Sequence, residues 1–463
     1  MLFSSLPYRN LILQALLCLT ISFILTYLQI PIRVLQGLFT YIHPDNVGHG
    51  NNQSGVRAAI RRPQSSDSSR SLDGYQHLSS KGNSELKNRS RSKQKFEFDE
   101  DKAQIFRLKL DEAHLQTRVY FDEYRYAFIY SIAAISCLLL HHFLDVSEDS
   151  GILENGVLVP VLLGFLGIFK VFVSLAKVSF ERSASKRSEK RLSVVVGVLG
   201  FLLGLMICMG IFASVFDFEF GSIDGVGRLF LAVFTGCVAG FLYMPAGKFV
   251  RSFWLGTDQL RWNLSIFSCG WIARMLLYAN YLLSTFTSLL WINPLAEILV
   301  NKNIHQNKGN GENLVGHVGM PQSDFVQFRV WCLLVSGLLQ IMVIRPNLQM
   351  YLNEAVLSWY QRLHASKVPD LDYSRAKVFL HNHYLCLAVL QFFGPPVLML
   401  LFLALSQIDG KMIGNIKFLC GLLPCSVFTK EVALFLAWWV VFAMSIFTSV
   451  SLALYRRGIW YVS

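Results

Sequence analysis

The sequence predicts an all-α, polytopic transmembrane helical bundle of about nine spans, and three observations carry that reading. Of 463 residues, 53% are hydrophobic and 16% are charged, against about 45–50% and about 25% in soluble domains. The apolar excess is gathered into blocks of about 20 residues, the length that crosses about 30 Å of hydrocarbon. Most Lys and Arg fall between the blocks. A backbone in lipid must satisfy its own hydrogen bonds, so the blocks are expected to be helices. A membrane barrel would need alternating apolar and polar residues, and the blocks do not alternate.

The first block runs from Leu11 to Ile30 and stops at Pro31. It is long for a signal sequence and no small-residue cleavage site follows, so 1–42 is expected to be a signal-anchor span. A basic, Ser-rich linker follows over 43–104. Between Asn51 and Lys95 it holds eleven Ser, ten Lys or Arg and three acids. Too few apolar residues remain to offset ordering entropy, and disorder is expected. The domain from 105 to 463 holds the other spans. It opens on Phe106 to Leu110, which alternates like a short strand.

The further spans are expected at Tyr126–Leu144, Val157–Leu175, Ser193–Val215, Leu229–Met244, Arg274–Leu295, Phe328–Ile344, Leu380–Leu405 and Val432–Leu454. Two amphipathic stretches, Ala246 to Gly270 and Leu348 to Leu363, are expected along the cytosolic face. With the N-terminus outside, 32 of the 42 Lys and Arg fall on the cytosolic side and seven on the outer side. That asymmetry places the linker and the C-terminus in the cytosol. The choice between endomembrane and plasma membrane stays open.

A net charge of +12 first suggests nucleic acid, but the basic residues sit where a membrane protein encodes orientation. The bilayer is the expected partner, with no nucleic acid. Anionic lipids are expected to attract the linker. Its Arg62-Pro63-Gln64-Ser65 has the spacing read by basic-directed kinases. The sequons at Asn52, Asn88 and Asn263 lie on segments assigned to the cytosol or its interface, so no glycans are expected. The nine Cys include no CxxC pair. Those in spans, such as Cys137 and Cys332, read as small hydrophobes. A disulfide between Cys420 and Cys425 stays open, because spacing does not give geometry.

Several stretches carry a family resemblance. They are Phe121-Asp122-Glu123-Tyr124, Ile168 to Leu175, Leu289 to Pro294, Phe328-Arg329-Val330-Trp331, Arg345 to Asn353, Tyr384-Leu385-Cys386, Gln391 to Pro395 and Phe435 to Trp439. On these the chain resembles the transmembrane protein 161 family, as a distant member of plant type. The likeness covers most of Phe106 to Val462 and the first span more weakly. It fails over the Ser-rich linker, at Gln340, where the family pattern has a basic residue, and in a shorter loop before the last span. The resemblance implies multi-pass membrane residence and effects on membrane currents. It implies no catalytic activity and no transported substrate.

Candidate functional residues are the polar groups in or near spans. Lys170 lies in an apolar run, where a charge costs about 2.5–3.5 kcal/mol at the bilayer centre. It can snorkel to the interface or point into the bundle toward the carbonyls near Pro395 or the Gln391 amide. In the second case Lys170→Met is expected to impair function more than folding. Arg274 and Arg329 lie near span ends and read as interfacial anchors. Arg345 reads either as a lipid headgroup ligand or as a clamp on Glu354. Asn280, Gln340 and Gln391 read first as interhelical hydrogen bonders and second as the lining of a polar cavity. Gln391 precedes Gly394-Pro395-Pro396, which is expected to kink or break its helix.

His141-His142 and His381-Asn382-His383 lack the spacing of metal ligands. No Asp or Glu falls within the expected spans, where ion-coupled carriers place them. No phosphate loop, Ser/His/Asp set or zinc motif is present, so neither enzymatic activity nor a cofactor is expected. The leading expectation is a non-enzymatic regulator or scaffold acting through lipids and other membrane proteins, such as channels. The alternative is a carrier or channel for an anion or small solute, with Lys170, Gln340 and Gln391 on one cavity. A membrane-embedded enzyme acting on lipids is the weakest reading.

Overall fold

The computed structural model describes residues 8–43, 57–60, 105–144, 156–181, 187–218, 220–221, 223–258, 269–300, 320–365, 371–408 and 427–460. The remaining linker, the sequons, Arg62 to Ser65, Cys420 and Cys425 lie outside these residues.

The apolar blocks form helices α1 (Arg9–Tyr27), α4 (Phe121–Phe143), α5 (Leu158–Phe180), α6 (Arg187–Cys208), α7 (Gly225–Thr257), α10 (Gln322–Met342), α13 (Leu385–Ser406) and α14 (Val427–Arg456). These eight are long and apolar enough to cross a membrane. The expected span Arg274–Leu295 is α8 (Trp271–Leu289). It falls short in composition because Arg274, Asn280 and several Tyr, Ser and Thr interrupt its apolar residues. Short helices α2 (Ile30–Leu35), α3 (Glu112–Gln116) and α9 (Asn293–Leu299) connect the long ones, and α11 (Ile344–Ala365) and α12 (Leu371–His383) lie between α10 and α13.

Side-chain pairings define two ends. At one end Trp291 follows α8, Phe218 and Phe220 follow α6, and Phe435 and Trp438 open α14, all in ring contact. At the other end α7 and α14 finish together with Trp254 stacked on Tyr455. There Phe253 meets Tyr278 in the first half of α8. Lys177 near the end of α5 meets Glu123 at the start of α4. Tracing the chain through these contacts, α8 runs antiparallel to α7 and α14.

Helix α13 is the hub. Nearly every residue from Leu385 to Ser406 is buried, and α4, α5, α7, α10, α11 and α14 pack around it. The closest pair is α6 with α7, which meet through small residues. A Cβ on Gly204 would fall 2.1 Å from Thr235 Oγ1, and one on Gly236 would fall 2.8 Å from the Phe201 Cβ. Ser193 Oγ donates to the Gly240 carbonyl at 2.6 Å along the same seam. Small residues let backbones approach where lipid supplies no hydrophobic drive.

A three-stranded antiparallel sheet sits at the Trp254–Tyr455 end, ordered β1 (Phe39–Ile42), β3 (Ile105–Lys109), β2 (Arg57–Ile60). Strand β3 is the alternating segment expected from sequence. Strand β2 falls within the stretch expected to be disordered, and it pairs with β3 from Arg57 opposite Arg107.

Three expectations are corrected. Of the kink or break expected at Pro395 and Pro396, the break does not occur: α13 continues through both, because its surroundings bury it on every side. Residues from Ala246 form no separate surface helix. They extend α7 through Pro245 to 33 residues, or about 50 Å at 1.5 Å per residue. Residues Leu348 to Trp359 are mostly buried rather than laid on the surface, because the sheet and α12 cover them.

A buried polar cavity beneath a charged vestibule

Proline has no N–H and leaves the carbonyl four residues earlier without its helical donor. Pro395 and Pro396 thus deprive the carbonyls of Gln391 and Phe392. All four residues line a small cavity between α7, α8, α10, α11, α13 and α14. Pro245 of α7 lines it too, together with Asn280, Gln340, Asn347 and Ser445. Asn280 Oδ1, Asn347 Oδ1, Gln391 Oε1 and Ser445 Oγ are buried and accept no hydrogen bond from the protein. The Gln340 amide donates to Ser284 Oγ at 3.4 Å and to Ser336 Oγ at 3.3 Å. The cavity measures about 30 Å³, room for about two waters. Its lining carries no charged side chain. A buried polar atom without a partner costs about 1–3 kcal/mol, so water or a small polar solute is what this lining favours.

Gln391 also lines a second, larger space of about 810 Å³ at the sheet end of the bundle. This vestibule is framed by α6, α7, α11, α12 and α14. Lys248 and Arg251 project from α7 one turn apart, facing Glu354 of α11 and Lys377 and His381 of α12. Lys248 Nζ lies 4.8 Å from the Tyr351 ring centre. Arg251 Nη2 is 3.7 Å from Glu189 Oε1, and Lys377 Nζ is 3.7 Å from Glu354 Oε1. Both separations exceed a hydrogen bond. His381 stacks on Tyr351 at 4.6 Å and its Nδ1 lies 2.9 Å from the Lys377 carbonyl. Burial lowers the His381 pKa to about 4, against a partial upward pull from Glu354. Burial pushes Glu354 upward, but Arg251, His381, Lys377 and Lys248 together hold it below the usual carboxylate range.

Helix α11 organises both spaces. Asn347, Tyr351 and Glu354 follow helical spacing on one face, the first in the cavity and the others in the vestibule. On another face, Gln349 accepts from the Phe39 N–H at 2.9 Å and donates to its carbonyl at 3.1 Å. Asn353 accepts from the Tyr41 hydroxyl at 3.0 Å. The Arg345 to Asn353 motif is thus both a strand dock and a cavity wall.

Residues 223–417 match the family model described as "Predicted transmembrane protein 161AB". Over this segment the chain is similar to the transmembrane protein 161 family. No solved structure matches the chain. The transmembrane protein 161 segment runs from before α7 to beyond α13. It therefore holds Lys248, Arg251, Asn280, Gln340, Asn347, Glu354, Lys377, His381 and Gln391, and both spaces draw most of their lining from it.

Among the residues expected from sequence, Asn280, Gln340 and Gln391 meet in one cavity within this segment. Lys170 does not join them. Its Nζ lies 3.0 Å from Glu123 Oε2, while Lys177 takes Glu123 Oε1 at 2.6 Å. Neither the carbonyls near Pro395 nor Gln391 is its acceptor. Within the segment, Arg329 is buried, pairs with Asp217 and sits 4.4 Å from the Phe325 ring centre. Arg345 neither clamps Glu354 nor stands alone. It donates to the Gln36 carbonyl at 3.2 Å, holding the turn before β1. Arg274 lies in the first turn of α8, where its Nε is buried without a hydrogen-bond partner. Sequence reasoning passed over Lys248, Arg251, Lys377, Asn347 and Ser445. Lys248 and Arg251 carried a signal in their three-residue spacing on a stretch already assigned to the interface.

Proposed function

We propose that this chain is a nine-span, non-enzymatic membrane protein with its N-terminus outside and the sheet end in the cytosol. It acts as a regulator or scaffold on other membrane proteins, channels among them, and thereby on membrane currents. The observation that carries this reading is the sheet. Strands β1, β2 and β3 tie both ends of the basic linker to α11 and α12. Whatever binds or modifies the linker therefore bears on the helices that wall the vestibule. Basic residues near an anionic leaflet contribute about 1 kcal/mol each, and phosphates on the linker would oppose that.

Two experiments test the proposal. Cysteine labelling of intact cells should tag a Cys placed at Asn310 and spare one at Ser68 or Ser463. Labelling at Ser463 from outside would overturn the nine-span arrangement. Removal of residues 62–103 should leave the protein inserted and folded yet abolish its effect on whole-cell currents. Unchanged currents would overturn the regulatory role of the linker.

A carrier of an anion or small solute is the second reading, favoured by Gln391 lying on both the vestibule and the inner cavity. At the opposite end the aromatic cluster of Phe218, Trp291 and Trp438 packs across the bundle, so such a carrier would stand open on one side only. Reconstituted protein that moves a radiolabelled anion or sugar across liposomes would establish this reading. Tight liposomes across a panel of ions and solutes would remove it.

A further inference from the structure

The vestibule at the sheet end combines three features. Its lining carries three basic side chains, Lys248, Arg251 and Lys377, against two acids, Glu189 and Glu354. Arg251 lies 3.7 Å from the Glu189 carboxylate, too far for a hydrogen bond. Among the described residues Lys248 meets the Tyr351 ring and no carboxylate. Tyr243, Tyr351 and Tyr455 also line the interior.

The third feature is the rim. Leu192 of α6, Leu380 of α12 and Ile459 beyond α14 line the same space and are exposed by 39%, 40% and 60%. Leu192 lies in the first turns of an apolar helix long enough to cross a membrane. A charged interior behind an apolar rim matches an amphiphile whose head is anionic and whose tail stays in lipid.

We infer that this vestibule binds the phosphomonoester headgroup of a membrane lipid, with Arg251 and Lys248 as the principal anion ligands. A guanidinium offers paired donors to phosphate oxygens and an ammonium adds a point charge. Residues three apart on a helix lie about 5–6 Å from each other at Cβ, so one phosphate can touch both. Its oxygens would take the Arg251 Nη donors, since the Nε–H goes to the Gly247 carbonyl at 3.3 Å. Gln391 at the inner end of the space brings the bound headgroup next to the proline-lined cavity. The inference deepens the regulatory reading by naming a ligand for it, and it rests on that reading's placement of this end at the cytosolic leaflet.

The test uses the full chain in phosphatidylcholine nanodiscs, which expose both faces, so an inverted topology leaves it intact. The probe is radiolabelled dioctanoyl phosphatidic acid, with glycerol 3-phosphate and inorganic phosphate as soluble competitors. Saturable binding is expected, weakened at least about tenfold by the K248A/R251A pair. Lys177→Ala, at the same end but outside the vestibule, should leave it within about twofold. Should the double variant fail to fold, the competition on the unaltered protein still decides. Soluble competitors that fail at matched concentration support the lipid. Competition by glycerol 3-phosphate on equal terms would keep the phosphate class and overturn its lipid source. Absence of saturable binding, or equal loss in Lys177→Ala, would overturn the site.

Discussion

The two ends of the bundle are built on opposite principles. At the Trp291 end, aromatic rings fill the space between α8, α10, α14 and the segment after α6. Trp438 Nε1 donates to the Ser288 carbonyl at 3.0 Å, and its ring stacks on Phe442 at 4.6 Å. The charge buried there, Arg329, is held by Asp217 and by the rings of Trp291 and Phe325. At the sheet end an open vestibule carries charges at separations too long for hydrogen bonds. One end is packed for closure, the other is arranged around space. Stability should therefore be concentrated at the first, and sensitivity to pH and ligand at the second.

The largest effect that could break this contrast is at Trp438. Its full burial predicts a loss of about 3–5 kcal/mol for Trp438→Ala, read as a lowered melting temperature by circular dichroism in nanodiscs. A change of the size seen at exposed sites would mean the aromatic end is not the stable one.

Next comes the Arg329–Asp217 pair. Asp217→Ala leaves a buried guanidinium without its carboxylate and should cost about 2–3 kcal/mol. Arg329→Met removes the buried charge itself and should cost about 1 kcal/mol or less. Equal losses in the two variants would show that the pair contributes only packing.

A smaller effect concerns pH at the other end. The folded pKa of His381 lies near 4, below the ordinary 6.5. Above pH 6.5 the ring is neutral in both states and adds no pH dependence. As pH falls from 6.5 toward 4, the unfolded chain takes up the proton first, so stability is lost across that window. The full shift corresponds to roughly 3 kcal/mol, trimmed by water in the open vestibule. His381→Gln should flatten the melting profile between pH 6.5 and 4. A profile equally steep in that variant would assign the loss elsewhere.

What the sequence made legible follows from the range of each signal. Span helices are encoded in contiguous apolar blocks, and eight appear as helices long and apolar enough to cross a membrane. β3 is encoded in five alternating residues. Asn280, Gln340 and Gln391 stood out as amides in apolar surroundings, and they do share a cavity. Asn347 and Ser445 did not, because Asn347 lies outside any span and serine is common inside helices. The dock between Phe39 and Gln349 joins residues 310 apart, and no local pattern encodes such a contact. Lys248 and Arg251 were hidden by the assumption that α7 ends at Pro245. Proline removes one hydrogen bond but does not end a helix that its neighbours hold.

Lys170 gives the finest test of the comparison, because its partner was missed for a geometric reason. The expected spans hold no carboxylate, and Glu123 lies three residues before Tyr126, just outside one of them. Helices α4 and α5 pack side by side, and a lysine stem reaches across that boundary. Glu123 then joins two lysines, with side chains exposed by 30% at Lys170, 50% at Lys177 and 27% at Glu123. Partly exposed pairs contribute little, about 0.2–1 kcal/mol each. Lys170→Met should therefore lower stability by no more than about 1 kcal/mol, since Lys177 still neutralises Glu123. Lys170→Arg should be tolerated, because a guanidinium can reach the same carboxylate. The K170M/K177M pair should exceed the sum of its parts by about 1 kcal/mol, because only then is Glu123 left without a cation. Glu123→Gln in that background should restore most of the loss. Melting temperatures of the set in nanodiscs decide the matter. A Lys170→Met loss as large as that of Trp438→Ala would show that Lys170 acts in the core of the bundle and not through Glu123.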